Sequence, residues 1–558
     1  MKVLYIAAEC KPFSKAGGVA DVAGELPPEL KKQGVDIEVL TPLYKSVERH
    51  HIKDFGFNYN VSFEHESEKI SVSYGELDGV KVNFLENEKY FGDKFTSILT
   101  CHAYIELLSK AIRESYFNSP NNLMCDISEV KELPSLTSFS QPYVHSKYIP
   151  YYDDIIRFSF FCASCIEIIK RINPDIVHIN DWPLCFLFGF MKIEGMTQKR
   201  VLTIHNIAYQ GVIGTGAIWR WDIGRILQND LTRKDFLNPP EEDTQRSVNP
   251  LSLGIKLSDM INTVSPTYCK EMMLSEVPSR YFEGGKGLEK VIREKNQVTR
   301  VHGILNGIRY NNDTTEAAFR EKMLEKTAAR KEITGRFKKP NNILFGFVGR
   351  AVEQKFLLLS EKIEGKSVLE HLLAIDGVNI IILASGTPDY ENFLKSINKD
   401  NFDAVLTFNP DLAHQIILGC DVFLMPSLFE PCGITQMEAM SNATLPLIRE
   451  TGGLKDTVNL YKEGIGCKTA DGFGFDGQSK EEVLKGFIKT IKLARNLYLK
   501  KKTVIKAMQK NAFCKRFLWE DTAREYISKI YKPLLTSTEI EIKTASGKKT
   551  PKKKKLAL

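Results

Sequence analysis

Two cations follow one another closely after an apolar run in the second half of the chain. Arg350 and Lys355 lie in the segment Gly349-Arg-Ala-Val-Glu-Gln-Lys355. This segment could be a solvated, charged loop. Two cations at a strand end, with no acid partner in register, also suit a diphosphate leaving group, whose negative charge has to be neutralised. The pattern therefore indicates a site for a substrate that carries a diphosphate.

Two carboxylates lie eight positions apart in the segment that runs from Phe429 to Glu438. Glu430 precedes Pro-Cys-Gly at a predicted helix start, which places an anion beside exposed backbone N–H groups. Each feature alone could be a cap or a turn. Together they form an arrangement that can bind sugar hydroxyls.

A glycine loop follows the first predicted strand, in Lys15-Ala-Gly-Gly-Val-Ala-Asp21. Paired glycines alone indicate only a tight turn, but a lysine before them at a helix start makes an anion site from a cation and backbone N–H groups. The chain contains neither Gly-x-Gly-x-x-Gly nor Gly-x-x-x-x-Gly-Lys-Ser/Thr. The sequence therefore gives no motif support for a dinucleotide-binding oxidoreductase or a P-loop enzyme.

His205 lies in the segment from Thr203 to Gly211, directly after another predicted strand. A single histidine is more often a core residue with satisfied hydrogen bonds than a catalytic one. Here His, Asn, Tyr, Gln and Gly follow in close succession, at a place where a core would contain none of them. The segment is therefore a further candidate for substrate contacts.

The elements that must position these residues are short Val/Ile/Leu-rich runs that alternate with helical segments. This pattern predicts parallel sheets of the α/β class, buried on both faces. The predicted strands in the first half are 3–8, 36–40, 175–179, 201–204 and 260–264. Those in the second half are 343–348, 379–384, 404–407, 421–425 and 445–448.

Every motif described above follows the carboxyl end of one of these strands, which is where open α/β sheets bind ligands. Two successive sheets predict a ligand in the cleft between two doubly wound domains, with Lys15 and Glu430 facing that cleft. Residues 96–144 do not follow the strand rhythm and are interpreted as an insertion, partly helical near 104–114. The lysine-rich tail after about 537 is predicted to be disordered.

Bulk composition narrows the class of protein. The chain has 558 residues, 43% hydrophobic and 26% charged, which fits a soluble protein of two or three domains. It has no run of ~20 apolar residues, and its start is too short and too quickly acidic for a signal peptide. We therefore expect a cytoplasmic protein that does not bind a membrane.

The net charge and the cysteines carry little functional information. Of the formal net charge of +7, six lysines in the last eleven residues supply +6, which leaves 7 − 6 = +1 for the remainder and gives no support for a nucleic-acid partner. The 11 cysteines are scattered. Cys162 and Cys165 form a Cys-x-x-Cys, but in an apolar helical stretch without further zinc ligands, so a structural role is favoured.

Eight segments in order resemble the bacterial glycogen synthase and plant starch synthase family, and they span nearly the whole chain outside the insertion and the tail. The combination of Glu-Pro-Cys-Gly-x-Thr-Gln with Lys-x-Gly-Gly is highly specific. The segments are 15–22, 178–182, 203–211, 263–268, 303–307, 350–355, 429–436 and 451–454.

The resemblance implies the GT-B fold, with two Rossmann-like doubly wound domains facing a central cleft. The implied limits are 1–298 for the N-terminal domain, 299–513 for the nucleotide-sugar domain, 514–535 for a helix that crosses back, and 536–558 for the tail. The implied reaction is transfer of glucose from ADP-glucose to the non-reducing end of an α-1,4-glucan with retention of configuration. Neither a metal ion nor another cofactor is expected.

The resemblance also implies roles for individual residues. Lys15, with Gly17, Gly18 and Asp21, would contact the donor from the N-terminal domain. Arg350 and Lys355 would neutralise the departing diphosphate, and Glu430 would hold the transferred sugar. The other implied substrate contacts, which include the ribose for Glu438 and the phosphates for the Thr451 turn, are Tyr151, Asp181, His205, Asn206, Asn306, Cys432, Gly433, Glu438, Thr451 and Gly452.

Several positions depart from the family pattern. Phe356 replaces a glycine, Arg309 an aspartate, and Leu428 an arginine, while Ser441-Asn442-Ala443 replaces Arg-Tyr-Gly. Two alternatives to an active ADP-glucose enzyme therefore stay open. One is a GT-B transferase with another donor, such as UDP-glucose, and the other is a degenerate homologue that binds glucan without turnover.

Overall fold

The computed structural model describes residues 1–92 (apart from 46, 49, 51, 64 and 65), 152–214, 225–226, 247–463 and 468–536. The predicted insertion at 96–144, its partly helical stretch and the tail lie outside the described residues. The chain divides into two compact units. The first contains Met1–Ile204, Tyr209–Ile261 and the chain from Ala523 onward, and the second contains His205–Ala208 and Asn262–Thr522.

The first unit is built on one large sheet in the order β3-β4-β5-β2-β1-β6-β7-β10. Its strands are β1 Lys2–Ile6, β2 Asp36–Pro42, β3 Asp54–Phe63, β4 Glu66–Leu77, β5 Val80–Glu86, β6 Ile176–Asn180, β7 Lys199–Ile204 and β10 Met260–Thr263, with a separate small pair, β8 Ile213–Gly214 and β9 Ser247–Val248. The end of β10 belongs to the second unit and pairs there with β11, His302–Gly303.

The parallel part of this sheet contains the five predicted strands. β1 pairs in parallel with both β2 and β6, and β6 pairs in parallel with β7. The order β5-β2-β1-β6-β7-β10 reverses direction at β1, so the switch point lies between β1 and β6. The antiparallel strands β3 and β4 were not predicted, and they extend the sheet beyond β5.

The helices of the first unit follow its strands. They are α1 Gly18–Lys32, α2 Glu88–Phe91, α3 Tyr152–Ile172, α4 Phe186–Ile193 and α5 Pro250–Leu257, with a 3-10 turn at Trp182–Leu184. Cys162 and Cys165 are fully buried in α3, and burial raises the pKa of the Cys162 thiol. Both cysteines therefore behave as core residues, as the sequence predicts.

The second unit has a fully parallel sheet in the order β16-β15-β12-β17-β18-β19. Its strands are β12 Ile343–Ala351, β15 Val378–Gly386, β16 Phe402–Val405, β17 Val422–Met425, β18 Leu445–Arg449 and β19 Phe473–Phe475, with a small hairpin, β13 Lys362–Ile363 and β14 Lys366–Ser367. The order reverses at β12, so the switch point, where such sheets bind nucleotides, lies between β12 and β17.

Helices connect these strands. They are α6 Pro266–Glu271, α7 Glu289–Val298, α8 Glu316–Thr334, α9 Glu353–Ser360, α10 Val368–Leu373, α11 Pro388–Ser396, α12 Pro410–Gly419, α13 Thr435–Ser441, α14 Gly452–Thr457, α15 Lys480–Lys500 and α16 Lys502–Cys514, with a 3-10 turn at Pro278–Arg280. The predicted pair of α/β units with parallel sheets is therefore present.

The last described elements are α17, Trp519–Glu525, and a π-helical turn, Tyr526–Tyr531. The boundary between the units falls inside α17, and the residues after it pack within the first unit. There the Tyr531 hydroxyl lies 2.7 Å from Nδ1 of His178, a buried residue of β6. Over the described residues, the helices are too short or too polar for any of them to cross a bilayer.

Candidate functional site

The glycine loop of the first unit is organised by Glu9, a buried carboxylate between β1 and the loop. Its side chain accepts hydrogen bonds from the backbone N–H of Ala16 at 2.5 Å and of Gly17 at 3.1 Å. Burial raises the pKa of Glu9, against the opposing effect of these N–H groups. The sequence motif singled out the loop but not Glu9, although a carboxylate directly after a strand was a usable signal.

Lys15 and Asp21 lie together at the start of α1, in an ion pair that the motif did not predict. The Lys15 ammonium is 2.7 Å from the Asp21 carboxylate, and Lys11 contributes a second, longer ion pair at 3.5 Å. The side chain of Lys15 is 51% exposed and that of Asp21 is 22% exposed. Gly17 and Gly18 form the junction to the helix, with Gly17 at the N-cap position. The cation is therefore accessible and only loosely held.

Asp181 follows β6 with an unusual backbone. Its φ of 58° and ψ of 178° lie in a region that residues other than glycine rarely adopt. Its N–H donates to Thr203 O at 2.9 Å, and the chain then enters the turn that buries Trp182. A side chain on Gly211 would meet the Trp182 ring at 2.2 Å, so this position requires glycine. Strain of about 1–3 kcal/mol at such a residue is typical of functional sites.

His205 is 9% exposed, and burial lowers the pKa of its imidazole to about 4. It is therefore neutral near pH 7 and can exchange hydrogen bonds but supplies no charge. The Asn206 side-chain oxygen accepts from the Ala208 N–H at 3.0 Å, and the Tyr268 hydroxyl accepts from the Ile207 N–H at 3.0 Å. Asn206 thus shapes the loop that carries His205.

Lys355 and the buried Glu430 form a partly buried ion pair at the switch point of the second unit. The Lys355 ammonium lies 2.5 Å from Glu430 Oε2, and the Ser427 hydroxyl donates to the same oxygen at 2.9 Å. The expectation of two cations without an acid partner is wrong for Lys355, because the loop after β17 folds back onto the start of α9. Arg350 is exposed at the end of β12, and its side chain has no polar partner among the described residues.

The loop that carries Glu430 is anchored on two sides. The Gln354 carbonyl accepts from the Leu428 N–H at 2.7 Å, and the Gln354 amide donates to Phe429 O at 3.0 Å. From β18, the buried guanidinium of Arg449 donates to Leu428 O at 2.6 Å and to Tyr281 O at 2.8 Å. These contacts hold the loop rigidly beside Lys355.

The turn after Glu430 presents backbone N–H groups. Gly433 has a φ of 71°, and a side chain there would meet the Gln436 amide at 2.3 Å. Gln436 donates to Cys432 O at 3.2 Å and to Gly433 O at 2.7 Å, and Ser265 donates to Pro431 O at 2.6 Å. The carbonyls of the turn are thereby satisfied, while the N–H groups of Cys432 and Gly433 have no partner among the residues described.

Asn306 lies against this turn. It is 4% exposed, and its side-chain oxygen has no hydrogen-bond partner within the described ranges. Its backbone N–H reaches the Cys432 thiol, whose pKa burial raises to about 12. The next residue, Gly307, is pressed so closely on Trp519 N that a side chain would come within 2.4 Å. A buried, unsatisfied amide oxygen is a suitable acceptor for a ligand hydroxyl.

The Thr451–Gly452 turn, to which the family resemblance assigns donor phosphates, already binds a carboxylate. The Gly452 N–H lies 3.1 Å from both oxygens of Glu271, and the Thr451 hydroxyl donates to Glu271 Oε2 at 3.1 Å. Glu271 is a further residue that sequence reasoning missed, because no motif connects it with a turn 181 positions away.

The remaining predicted residues are Glu438 and Tyr151. Glu438 is exposed on the first turn of α13, whereas Glu430 is buried, so the two carboxylates lie in different environments. Tyr151 lies outside the described residues. Over the described part of the chain, no cluster of three or more His, Cys, Asp or Glu side chains could hold a metal ion.

Comparison with known proteins fits this arrangement. The family model of the starch synthase catalytic domain matches residues 2–127 and 116–294, and the model of group 1 glycosyl transferases matches 330–495. A glycogen synthase of Clostridioides difficile is 33% identical over 94% of this chain and 98% of its own. One from Finegoldia magna is 30% identical, with the same coverage of both chains.

The chain belongs to the glycogen and starch synthase family. The predicted family, the synthase function and the glycosyltransferase class are therefore confirmed. A solved structure, the catalytic domain of starch synthase IV from Arabidopsis thaliana bound to ADP and acarbose, superposes with a TM-score of 0.70 at 24% identity, covering 94% of this chain and 97% of the other. This likeness confirms the GT-B fold.

The departures from the family pattern have local explanations in the structure. Phe356 is fully buried and contacts the rings of Phe347, Tyr390 and Phe393 at 5.6, 5.5 and 6.4 Å. It therefore packs in an aromatic cluster behind Lys355. Leu428 is buried in the anchored loop, where its backbone makes the polar contacts.

The departures at Ala443 and Arg309 differ in backbone strain. Ala443 has a φ of 54° where the family has glycine, a conformation that costs a residue with a side chain about 1–2 kcal/mol. Arg309 lies on the surface.

Proposed function

We propose that this family member transfers glucose from ADP-glucose to the non-reducing end of an α-1,4-glucan, with retention of configuration and without a metal ion. The observation that carries the proposal is the Lys355–Glu430 pair at 2.5 Å, placed at the switch point where nucleotides bind to such sheets. The titles of the relatives name glycogen synthases, and the starch synthase IV domain was solved with ADP and acarbose.

In this proposal, the positive charges at the switch point bind the diphosphate. The Lys355 ammonium carries three N–H donors and uses one on Glu430, so that others are available for phosphate oxygens. Arg350 supplies a second cation at the end of β12. Fixed positive charges at the point where the diphosphate departs stabilise the transition state without reorganisation. In this role they replace the divalent cation that many nucleotide-sugar transferases use.

The sugar would be held by acceptors and donors around the same pair. Glu430 can accept from sugar hydroxyls, the N–H groups of Cys432 and Gly433 can donate to sugar oxygens, and Asn306 offers its unsatisfied oxygen. His205 is neutral because burial lowers its pKa to about 4. It therefore contributes hydrogen bonds to the transferred glucose.

The test is transfer of radiolabelled glucose to glycogen, with ADP-glucose and UDP-glucose assayed in parallel. We expect transfer from ADP-glucose that survives EDTA, and far slower transfer from UDP-glucose. Preference for UDP-glucose would assign the other donor. Glycogen binding without transfer from either donor would assign a degenerate homologue, and strict dependence on added Mg²⁺ would contradict the metal-independent mechanism.

A further inference from the structure

Two short helices of the second unit exchange carboxylate caps. Glu271, the last residue of α6, accepts from Gly452 at the start of α14. In return Asp456, near the end of α14, accepts from the Thr267 N–H at 2.7 Å and the Thr267 hydroxyl at 2.6 Å at the start of α6. Each helix is too short to be stable alone, and its first N–H groups have no partner within the helix. The exchanged carboxylates therefore accept hydrogen bonds from the first N–H groups of both helices.

The two ends of this exchange differ in what they touch. At the Asp456 end, the carboxylate binds Thr267 in the first turn of α6 and makes no hydrogen bond to Glu430 among the described residues. At the Glu271 end, the N–H of Gly453 donates to the Glu430 carbonyl at 2.9 Å, and a side chain on Gly452 would lie 2.0 Å from that same oxygen. The Thr451–Gly453 turn therefore packs directly on the backbone of the residue whose carboxylate binds Lys355.

Other anchors of the loop act on both sides of Glu430, and on the far side Ser265 donates to the Pro431 carbonyl at 2.6 Å. Gln354 and Arg449 hold Leu428 and Phe429, whereas the Glu430 carbonyl is held by Gly453. The turn thus binds the backbone of Glu430 itself and, with these anchors, sets its position. Glu271 fixes the turn with bonds to the Gly452 N–H and the Thr451 hydroxyl, and the charges of Arg449 and Lys455 act on its carboxylate from nearby.

We infer that Glu271 is a positioning residue for the transfer reaction. It holds the Thr451–Gly453 turn against Glu430, and thereby keeps the Glu430–Lys355 pair in the geometry that the departing diphosphate requires. This inference rests on the proposed function. Because misplacement of a catalytic group by ~1 Å can cost ~10²-fold in rate, loss of the Glu271 contacts should lower turnover with no direct loss of a substrate contact.

The experiment compares Glu271→Ala with Asp456→Ala, which removes the same kind of cap from the opposite end of the same helix pair. We expect both variants to lose similar thermal stability. Glu271→Ala should lower kcat by ~10- to 100-fold with little change in the KM for the donor, whereas Asp456→Ala should retain kcat within ~3-fold. Glu271→Gln, which keeps one acceptor oxygen, should recover most of the lost kcat.

Hydrogen–deuterium exchange on the same proteins gives a measurement that needs no turnover. Exchange in residues 427–433 should accelerate in Glu271→Ala and not in Asp456→Ala. The inference is overturned if the two variants lose kcat in parallel with their stability, or if exchange at 427–433 is equal in both. A wild-type protein that transfers no glucose would contradict the proposed function, and the exchange comparison would still decide the role of Glu271.

Discussion

The glycine turns of the two units are built in the same way but differ in how firmly their cations are held. In each, a carboxylate takes the backbone N–H groups, Glu9 in the first unit and Glu271 in the second. In each, a lysine pairs with an acid. The Lys15–Asp21 pair is largely exposed, with side-chain exposures of 51% and 22%, whereas the Lys355–Glu430 pair has exposures of 23% and 8%.

Because of this difference, we expect the Lys15 side chain to change position more easily than the Lys355 side chain. An exposed pair contributes little, typically about 0–1 kcal/mol, because water screens it. The Lys355–Glu430 pair is screened less, and removal of Lys355 leaves the buried Glu430 carboxylate without its counter-ion. We therefore expect Lys355 to matter for both folding and turnover, and Lys15 for binding alone.

The largest effect is expected for Lys355→Ala. Turnover should fall by ~10²–10³, because a preorganised charge at the leaving group is lost, and the free energy of unfolding should fall by about 1–3 kcal/mol, because the buried Glu430 loses its charged partner. Steady-state kinetics and urea denaturation measure the two losses. Arg350→Ala is the matched control: a similar loss of turnover is expected, but with unchanged stability. Full activity of Lys355→Ala would show that other residues neutralise the leaving group.

A smaller effect is expected for Lys15→Ala. If Lys15 contacts donor phosphates, as the resemblance implies, the KM for the donor should rise by about tenfold, since an exposed charge contributes on the order of 1 kcal/mol. Thermal stability should not change. Lys11→Ala removes the longer partner of Asp21 and should leave the KM unaltered. A loss of stability comparable with that of Lys355→Ala would remove the proposed distinction between the two pairs.

The smallest effect is expected for Glu9→Gln, which keeps an acceptor for the Gly17 N–H. Because burial raises the pKa of Glu9, the folded protein binds a proton in a pH range where the unfolded chain has released it. Stability attributable to Glu9 should therefore decrease as pH rises from the unfolded pKa to the folded one. Urea denaturation between pH 4 and 8 should show a flatter profile for the variant. Identical profiles would contradict this.

The sequence predicted the central parallel strands, because strands buried on both faces appear as continuous apolar runs, but it missed the parallel strands β5, β11 and β19. It missed the antiparallel extension at 54–77, where apolar and polar residues alternate as on a half-exposed sheet, as in Phe55, Tyr59, Val61 and Phe63. An alternation of period two was available as a signal there. A search for continuous apolar runs alone therefore finds only the strands at the centre of such a sheet.

The candidate site was predicted in its motifs but not in its pairings. The pattern placed Lys15 before a helix and Lys355 after β12, where both lie, but it did not predict the ion pair of Lys15 with Asp21. The partner of Lys355, 75 positions away, depends on how the loop after β17 folds. Glu271 is a single carboxylate outside any substrate motif, and its role depends on the docking of two short helices. Long-range contacts of this kind cannot be predicted from local spacing.

The aromatic cluster around Phe356 sets a limit on loop exchange between members of the family. Phe356 occupies a position where relatives carry glycine, and its ring contacts Tyr390 and Phe393 of α11. A chimaera that imports only the segment after β12 from a relative would leave a void of nearly a whole side chain against α11. The segment after β12 and α11 therefore pack as one unit, and an exchange should replace both together.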